Sequence, residues 1–125
     1  MSKSILIADD ELHIRALLEQ TLEDLEDEGV DLLTAANGQE ALDTIQSAKP
    51  DLVFLDVMMP KLNGYEVCHE AKHVLELADT FIVLLTAKGQ EADQQKGYEA
   101  GADVYMTKPF DPDEVLAKAE EILGL

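Results

Sequence analysis

The sequence predicts an α/β fold, a parallel sheet of five strands with helices on both faces. Two observations carry this. Five short runs, ILIA (5–8), DLLTA (31–35), LVFLD (52–56), FIVLLT (81–86) and DVYM (103–106), are β-branched or leucine-rich with few polar residues, as strands buried on both faces should be. Between them lie segments with the 3.6-residue period of amphipathic helices. Alternation of this kind implies right-handed crossovers and places chemistry at the carboxyl ends of the strands.

The elements follow in order. The first strand runs into Asp9-Asp10-Glu11, and Leu18, Leu22 and Leu25 mark the helix after it. Ala41, Leu42, Ile45 and Ala48 mark the second helix. The third strand finishes in Asp56. In the helix around 65–75, a rotation of about 100° per residue puts Val67, Cys68, Ala71, Val74 and Leu75 on one face. The fourth strand finishes in Thr86-Ala87. The stretch GQEADQQKGYEA (89–100) has the weakest apolar stripe of the five helices and an internal Gly97, so low local stability and a mobile partner surface are expected there. Thr107-Lys108-Pro109 follows the fifth strand. The last helix has the cleanest stripe, Val115, Leu116, Ala119, Ile122 and Leu123, with Asp111 as N-cap, Pro112 in the first turn and Glu114 completing a capping box. With no linker or low-complexity stretch, the 125 residues form one domain, 1–125.

Composition narrows the function. Nine basic against twenty-seven acidic residues give a net charge of −18, which repels phosphate backbones and anionic membrane faces; direct nucleic-acid or membrane binding is not expected. The 46% hydrophobic content and its periodicity argue for a folded domain despite that charge. Cys68, the one cysteine, has no disulfide partner and cannot build a thiolate zinc site. The N-terminal residues reach Asp9-Asp10 too soon for the apolar region of a signal peptide, and no apolar run is long enough to span a bilayer. A cytoplasmic setting is the expectation.

His69-Glu70-x-x-His73 matches the pattern by which zinc proteases are recognised. The two histidines share a face, but one roughly opposite the apolar stripe. A zinc there would sit on the solvent side, away from any cleft and without a third specific protein ligand. The residues read instead as two solvated histidines on an acidic surface.

The strand ends carry the chemistry. Each residue has a plainer reading: Asp10 could cap the first helix, Thr86 the fourth, and Lys108-Pro109 could be an ordinary turn. If strands one and three are neighbours, however, Asp9, Asp10 and Asp56 meet in one crevice, where their repulsion would raise a carboxylate pKa or weaken the fold. A hard divalent cation with oxygen ligands relieves it, and Mg²⁺ suits a few carboxylates plus waters. A hydroxyl from Thr86 and the ammonium of Lys108 at the same edge would equip the site to hold a phosphoryl group, with a carboxylate as covalent acceptor.

Four motifs, ILIADDE (5–11), DLVFLDVMMPKLNGYE (51–66), LLTAK (84–88) and GADVYMTKPF (101–110), appear in order, each at a strand end. With them the chain resembles the receiver domain of bacterial two-component response regulators over essentially its whole length. The resemblance implies a flavodoxin-like (βα)5 three-layer sandwich with strand order 2-1-3-4-5. It makes Asp56 the phosphoacceptor. Asp9 and Asp10 become the acidic pair for Mg²⁺, with Asp10 in direct contact and Asp9 mainly through water, and Met58 lends its backbone carbonyl. Thr86 and Lys108 are expected to contact the phosphoryl oxygens. Pro60 and Gly64 match the loop after the acceptor, where glycine would permit a tight turn. A cis bond between Lys108 and Pro109 would set where the lysine points. Tyr105 matches the switch aromatic, which would rotate into space vacated as Thr86 moves toward the phosphoryl group.

The implied function is a phosphorylation-dependent switch. A sensor histidine kinase or histidine phosphotransfer protein is the expected donor. The face of the fourth helix, fifth strand and fifth helix would change its affinity for a downstream protein. The domain would assist its own phosphorylation and slow dephosphorylation without being an enzyme in the usual sense. A phosphatase of the haloacid-dehalogenase type would need an acid two residues after the nucleophile, where this chain has Met58. A pseudo-receiver that only binds proteins would not need the full residue set. Met58 and Lys88, two residues after Asp56 and Thr86, are expected to hinder water and lengthen the phosphoryl lifetime. If the chain is complete, a stand-alone receiver is expected, as in chemotaxis, motility control or phosphorelays.

Overall fold

Near-continuous apolar runs form the central strands here because both of their faces are covered. In the computed structural model, which describes residues 3–87, 100–108 and 111–125, the strands are β1 (Lys3–Ala8), β2 (Val30–Ala35), β3 (Leu52–Asp56), β4 (Phe81–Ala87) and β5 (Val104–Lys108). All pairings are parallel and the order is β2-β1-β3-β4-β5, the order the resemblance implied. The helices are α1 (Leu12–Leu22), extended by a 3₁₀ segment Glu23–Glu28, then α2 (Gly38–Ala48), α3 (Gly64–His69) and the C-terminal helix Pro112–Leu123.

Successive strand residues feed two separate cores. Leu6, Val53, Leu55, Ile82 and Leu84 face α2 and α3, where they meet Ala41, Ile45, Val67, Cys68 and Ala71. Ile5, Ile7, Phe54, Val83 and Leu85 face α1 and the C-terminal helix, where they meet Leu18, Leu22, Val115 and Ala119. The three central strands are therefore buried on both sides, whereas edge strands β2 and β5 are partly exposed. Phe54, fully buried in the middle strand, anchors the second core; truncation of such a side chain to alanine typically costs about 3–5 kcal/mol.

Three local expectations are corrected. Val74 does not join the apolar face of α3; it is 57% exposed. From Glu70 to Val74 the helix widens to π geometry, with Leu75 N–H donating to the Glu70 carbonyl at 2.8 Å, and the wider turn shifts the phase of the side chains that follow. Asp111 does cap the C-terminal helix, but its carboxylate takes the N–H of Asp113 at 2.9 Å rather than that of Glu114. A full capping box forms at α3 instead, where Asn63 and Glu66 exchange side-chain-to-backbone bonds. Ala48, placed on the apolar stripe of α2, is exposed at the last turn of that helix.

Gly64 is needed for close approach rather than for a left-handed turn. A Cβ there would lie 2.5 Å from the carbonyl oxygen of Asp56 and 2.9 Å from Cα of Val57. Its N–H donates to the Val57 carbonyl at 2.9 Å, which pins the start of α3 onto the end of β3.

Candidate functional site

Parallel pairing places Ala8 beside Leu55, so Asp9 and Asp10, which follow β1, and Asp56, which ends β3, emerge at the same edge. One carboxylate oxygen from each of these aspartates can be chosen such that all lie within 4.8 Å of one another. Asp9 is fully buried, Asp56 is 5% exposed and Asp10 is open to solvent. Lys108 belongs to β5, which runs two residues further than the apolar pattern indicated, so the lysine is held in the sheet ladder opposite Ala87 and not in a turn. Its Nζ lies 2.8 Å from Asp9 Oδ2 and 3.2 Å from Asp56 Oδ1. Asp10, Glu11, Asp56, Met58 and Lys108 line the resulting crevice, about 310 Å³ in volume.

Asp9 is over-determined. Its Oδ1 accepts the Glu11 N–H at 2.9 Å, its N–H donates to Ala35 at 3.2 Å, and Arg15 on α1 donates to its carbonyl at 2.7 Å. Glu11, not Asp10, stands at the N-cap position of α1, without a side-chain cap bond, and Asp10 lines the crevice. Asp56 accepts from Met58 N–H at 3.4 Å. Burial, reinforced by the neighbouring Asp9 charge, pushes the Asp56 carboxyl up from 3.8 to about 7 against the opposing pull of Lys108. For Lys108, desolvation favours the neutral amine, but the hydrogen bond to Asp9 and the charges of Asp56 and Asp9 outweigh it and move its pKa upward.

Thr86 lies on β4 one residue past Leu85, the partner of Asp56, and is 3% exposed. Tyr105 pairs with Leu84 and packs, half-buried, against the core under α2 and α3. Met58 projects from the crevice rim, 65% exposed, and Pro60 is exposed in the loop beyond it. Lys88, Pro109 with its expected cis bond, and the expected partner surface 89–99 lie outside the described residues. Glu11 and Arg15 were not singled out from the sequence. Their residue types gave no signal, because both bonds run through backbone atoms: Arg15 donates to the Asp9 carbonyl, and the Glu11 N–H to the Asp9 carboxylate.

His69 and His73 are both exposed, on the outside of the α3 turn, as the helical phase required. Among the described residues, the acidic crevice is where three ligating side chains converge, and neither histidine belongs to it. The protease reading fails on geometry.

A parallel sheet in the order 2-1-3-4-5 between two layers of helices, with acidic residues and a lysine gathered at its carboxyl edge, is a flavodoxin-like domain with its site at the strand ends. The family model of the response regulator receiver domain matches residues 5–120, and the chain belongs to that family. It is 48% identical over 123 residues to the alkaline phosphatase synthesis transcriptional regulatory protein PhoP of Bacillus subtilis, covering 98% of this chain and 49% of that protein. The chain thus spans about half the length of the curated relatives it matches. Among solved structures it resembles the chemotaxis response regulator CheY4 of Vibrio cholerae, with TM-score 0.84, 31% identity and 98% and 99% of the two chains covered. It also resembles DrrB, a Thermotoga maritima OmpR/PhoB homologue, with TM-score 0.83 and 32% identity over 99% of this chain and 54% of that one. Receiver domains act in two-component signalling and bind Mg²⁺ at an acidic pocket, and the Asp9–Asp10–Asp56 cluster has the composition and spacing of such a pocket.

Proposed function

We propose that this domain is a switch that accepts a phosphoryl group on Asp56 from a phosphohistidine donor. The observation that carries the reading is the convergence of Asp9, Asp10 and Asp56 with the Lys108 ammonium bridging two of them in an open crevice. An Asp56 oxygen attacks phosphorus, the P–O bond forms as the P–N bond of the phosphohistidine breaks, and the departing imidazole takes up a proton. Asp9, Asp10, Asp56 and the Met58 carbonyl would hold Mg²⁺, which supplies charge neutralisation for the phosphoryl oxygens and favours the ionised acceptor. Lys108 exchanges its contact with Asp56 for a phosphoryl oxygen, and Thr86, one residue past the acceptor's ladder partner, donates its hydroxyl to another.

The donor is a sensor histidine kinase or a histidine phosphotransfer protein, which places the domain in the cytoplasm. Among the described residues, no helix is long and apolar enough to cross a membrane. The output is altered affinity for a downstream protein through the face that includes β5 and the C-terminal helix, with Tyr105 on β5 as the switch aromatic. Direct nucleic-acid contact by this domain is disfavoured by its net charge of −18. The domain turns over no external substrate; Met58, where a phosphatase of this chemistry needs an acid, carries no titratable group.

Incubation with acetyl phosphate, with and without Mg²⁺, tests this by intact mass. A metal-dependent gain of one phosphoryl group, absent in Asp56→Ala, is expected. No gain under conditions that label a control receiver would replace the switch with a binding-only module.

A further inference from the structure

Arg15 is the one arginine of a chain with twenty-seven acidic residues, yet it makes no ion pair among the described residues. Its guanidinium Nη1 donates instead to the backbone carbonyl of Asp9 at 2.7 Å. The backbone N–H of Arg15 donates to the Glu11 carbonyl at 3.1 Å, so the first turn of α1 is tied back to the end of β1. Arg15 is half-buried and touches neither the acceptor nor the space above it.

The three carboxylates of the crevice are not held alike. Asp9 has Lys108 Nζ at 2.8 Å and the Glu11 N–H at 2.9 Å. Asp56 has Lys108 Nζ at 3.2 Å and the Met58 N–H at 3.4 Å. The Asp10 carboxylate has no hydrogen bond or ion pair among the described residues, although Asp10 lines the crevice. Its placement therefore depends on its backbone. The carbonyl of Asp9 and the nitrogen and Cα of Asp10 lie in one rigid, planar peptide, so a bond that fixes that oxygen fixes where Asp10 starts. We propose that Arg15 is the positioning residue of the metal pocket: by holding the Asp9–Asp10 peptide it sets where the Asp10 carboxylate stands, and so the affinity for Mg²⁺. The inference rests on the reading of the three aspartates as a Mg²⁺ pocket.

Two plainer roles are separable from this one. As an anchor for α1 the bond is redundant, because Leu18 and Leu22, both fully buried, already hold that helix against the sheet. As a fixed charge Arg15 works against the site, since a guanidinium beside a cation pocket repels the incoming ion. Its value there is geometric. The planar guanidinium gives a short, charge-assisted bond with a defined direction, which a flexible neutral donor does not. The two effects have opposite signs, so removal of the side chain decides between them.

Titration of the metal-free protein with Mg²⁺, followed by the backbone amide resonances of residues 9, 10 and 56, is the test. Arg15→Met keeps the apolar stem and loses the donor. Its dissociation constant for Mg²⁺ is expected to rise about tenfold, the low end of the roughly 10–100-fold that an outer-shell partner contributes. Arg15→Lys keeps a donor and the charge, and is expected to fall between Arg15→Met and wild type. The Mg²⁺ concentration for half-maximal labelling by acetyl phosphate is expected to rise in step, with the rate at saturating Mg²⁺ unchanged. Urea denaturation checks that each variant is folded under these conditions; a loss of global stability leaves the affinity of the folded molecules unaltered. Unchanged or tighter binding in Arg15→Met overturns the proposal and leaves Arg15 an anchor of α1, while the metal pocket stands. A wild type that shows no response to Mg²⁺ overturns the pocket and the proposal together.

Discussion

Replacing Asp56 with asparagine is expected to stabilise the metal-free protein, and to do so more at pH 8 than at pH 5. The folded carboxyl titrates near 7 rather than 3.8, chiefly through burial and then through the charge of Asp9. A carboxyl whose folded pKa is raised binds its proton more tightly when folded, so stability falls as pH rises from the unfolded value toward the folded one. At about 1.4 kcal/mol per unit, ionised Asp56 opposes folding by roughly 4 kcal/mol at pH 8 and by roughly 1.5 kcal/mol at pH 5. Lys108 adds nothing in this window, because its raised pKa loses stability only above the ordinary lysine range. Urea denaturation of wild type and Asp56→Asn in chelator, at both pH values, gives the two differences. The variant is expected to gain about 2–4 kcal/mol at pH 8 and to keep at least about 2 kcal/mol less of that gain at pH 5. Saturating Mg²⁺ is expected to close part of the gap by stabilising wild type. Equal stabilities, or a gap independent of pH, would refute the picture of a desolvated, mutually repelling carboxylate pair.

Lys108→Ala removes the ammonium from buried Asp9 and from Asp56; a loss of about 3 kcal/mol is expected at pH 8, shrinking toward acid pH, by the same denaturation series. Gly64→Ala drives a Cβ into the Asp56 carbonyl and is expected to cost at least about 2 kcal/mol and to shift the amide resonances of residues 56–58. Asn63→Ala deletes half of the capping box on α3 and is expected to cost about 1 kcal/mol without altering phosphorylation, read by thermal melting and acetyl phosphate labelling. Met58→Asn replaces the exposed thioether at the crevice rim with a group able to orient water; faster loss of the phosphoryl group is expected by intact-mass decay, and equal rates would remove Met58 from control of its lifetime.

The three central strands were legible because a strand covered on both faces must be apolar throughout. Asp9, Asp56 and Lys108 were legible for a related reason. A charge placed at the end of a buried run is costly unless it is paired or binds a ligand, so its presence there signals a site. What lay beyond the sequence depends on contacts between distant segments. Arg15 secures Asp9 through a backbone carbonyl, an acceptor every residue carries, so nothing in its type identifies the bond. Gly64 suggested a turn, yet it is required by the backbone of β3 a few ångströms away. Val74 fits an α-helical face, and only the change to π geometry after His69 turns it outward. Periodicity in a chain records which side of an element is buried; it carries no record of helical pitch or of which atoms another segment will bring alongside.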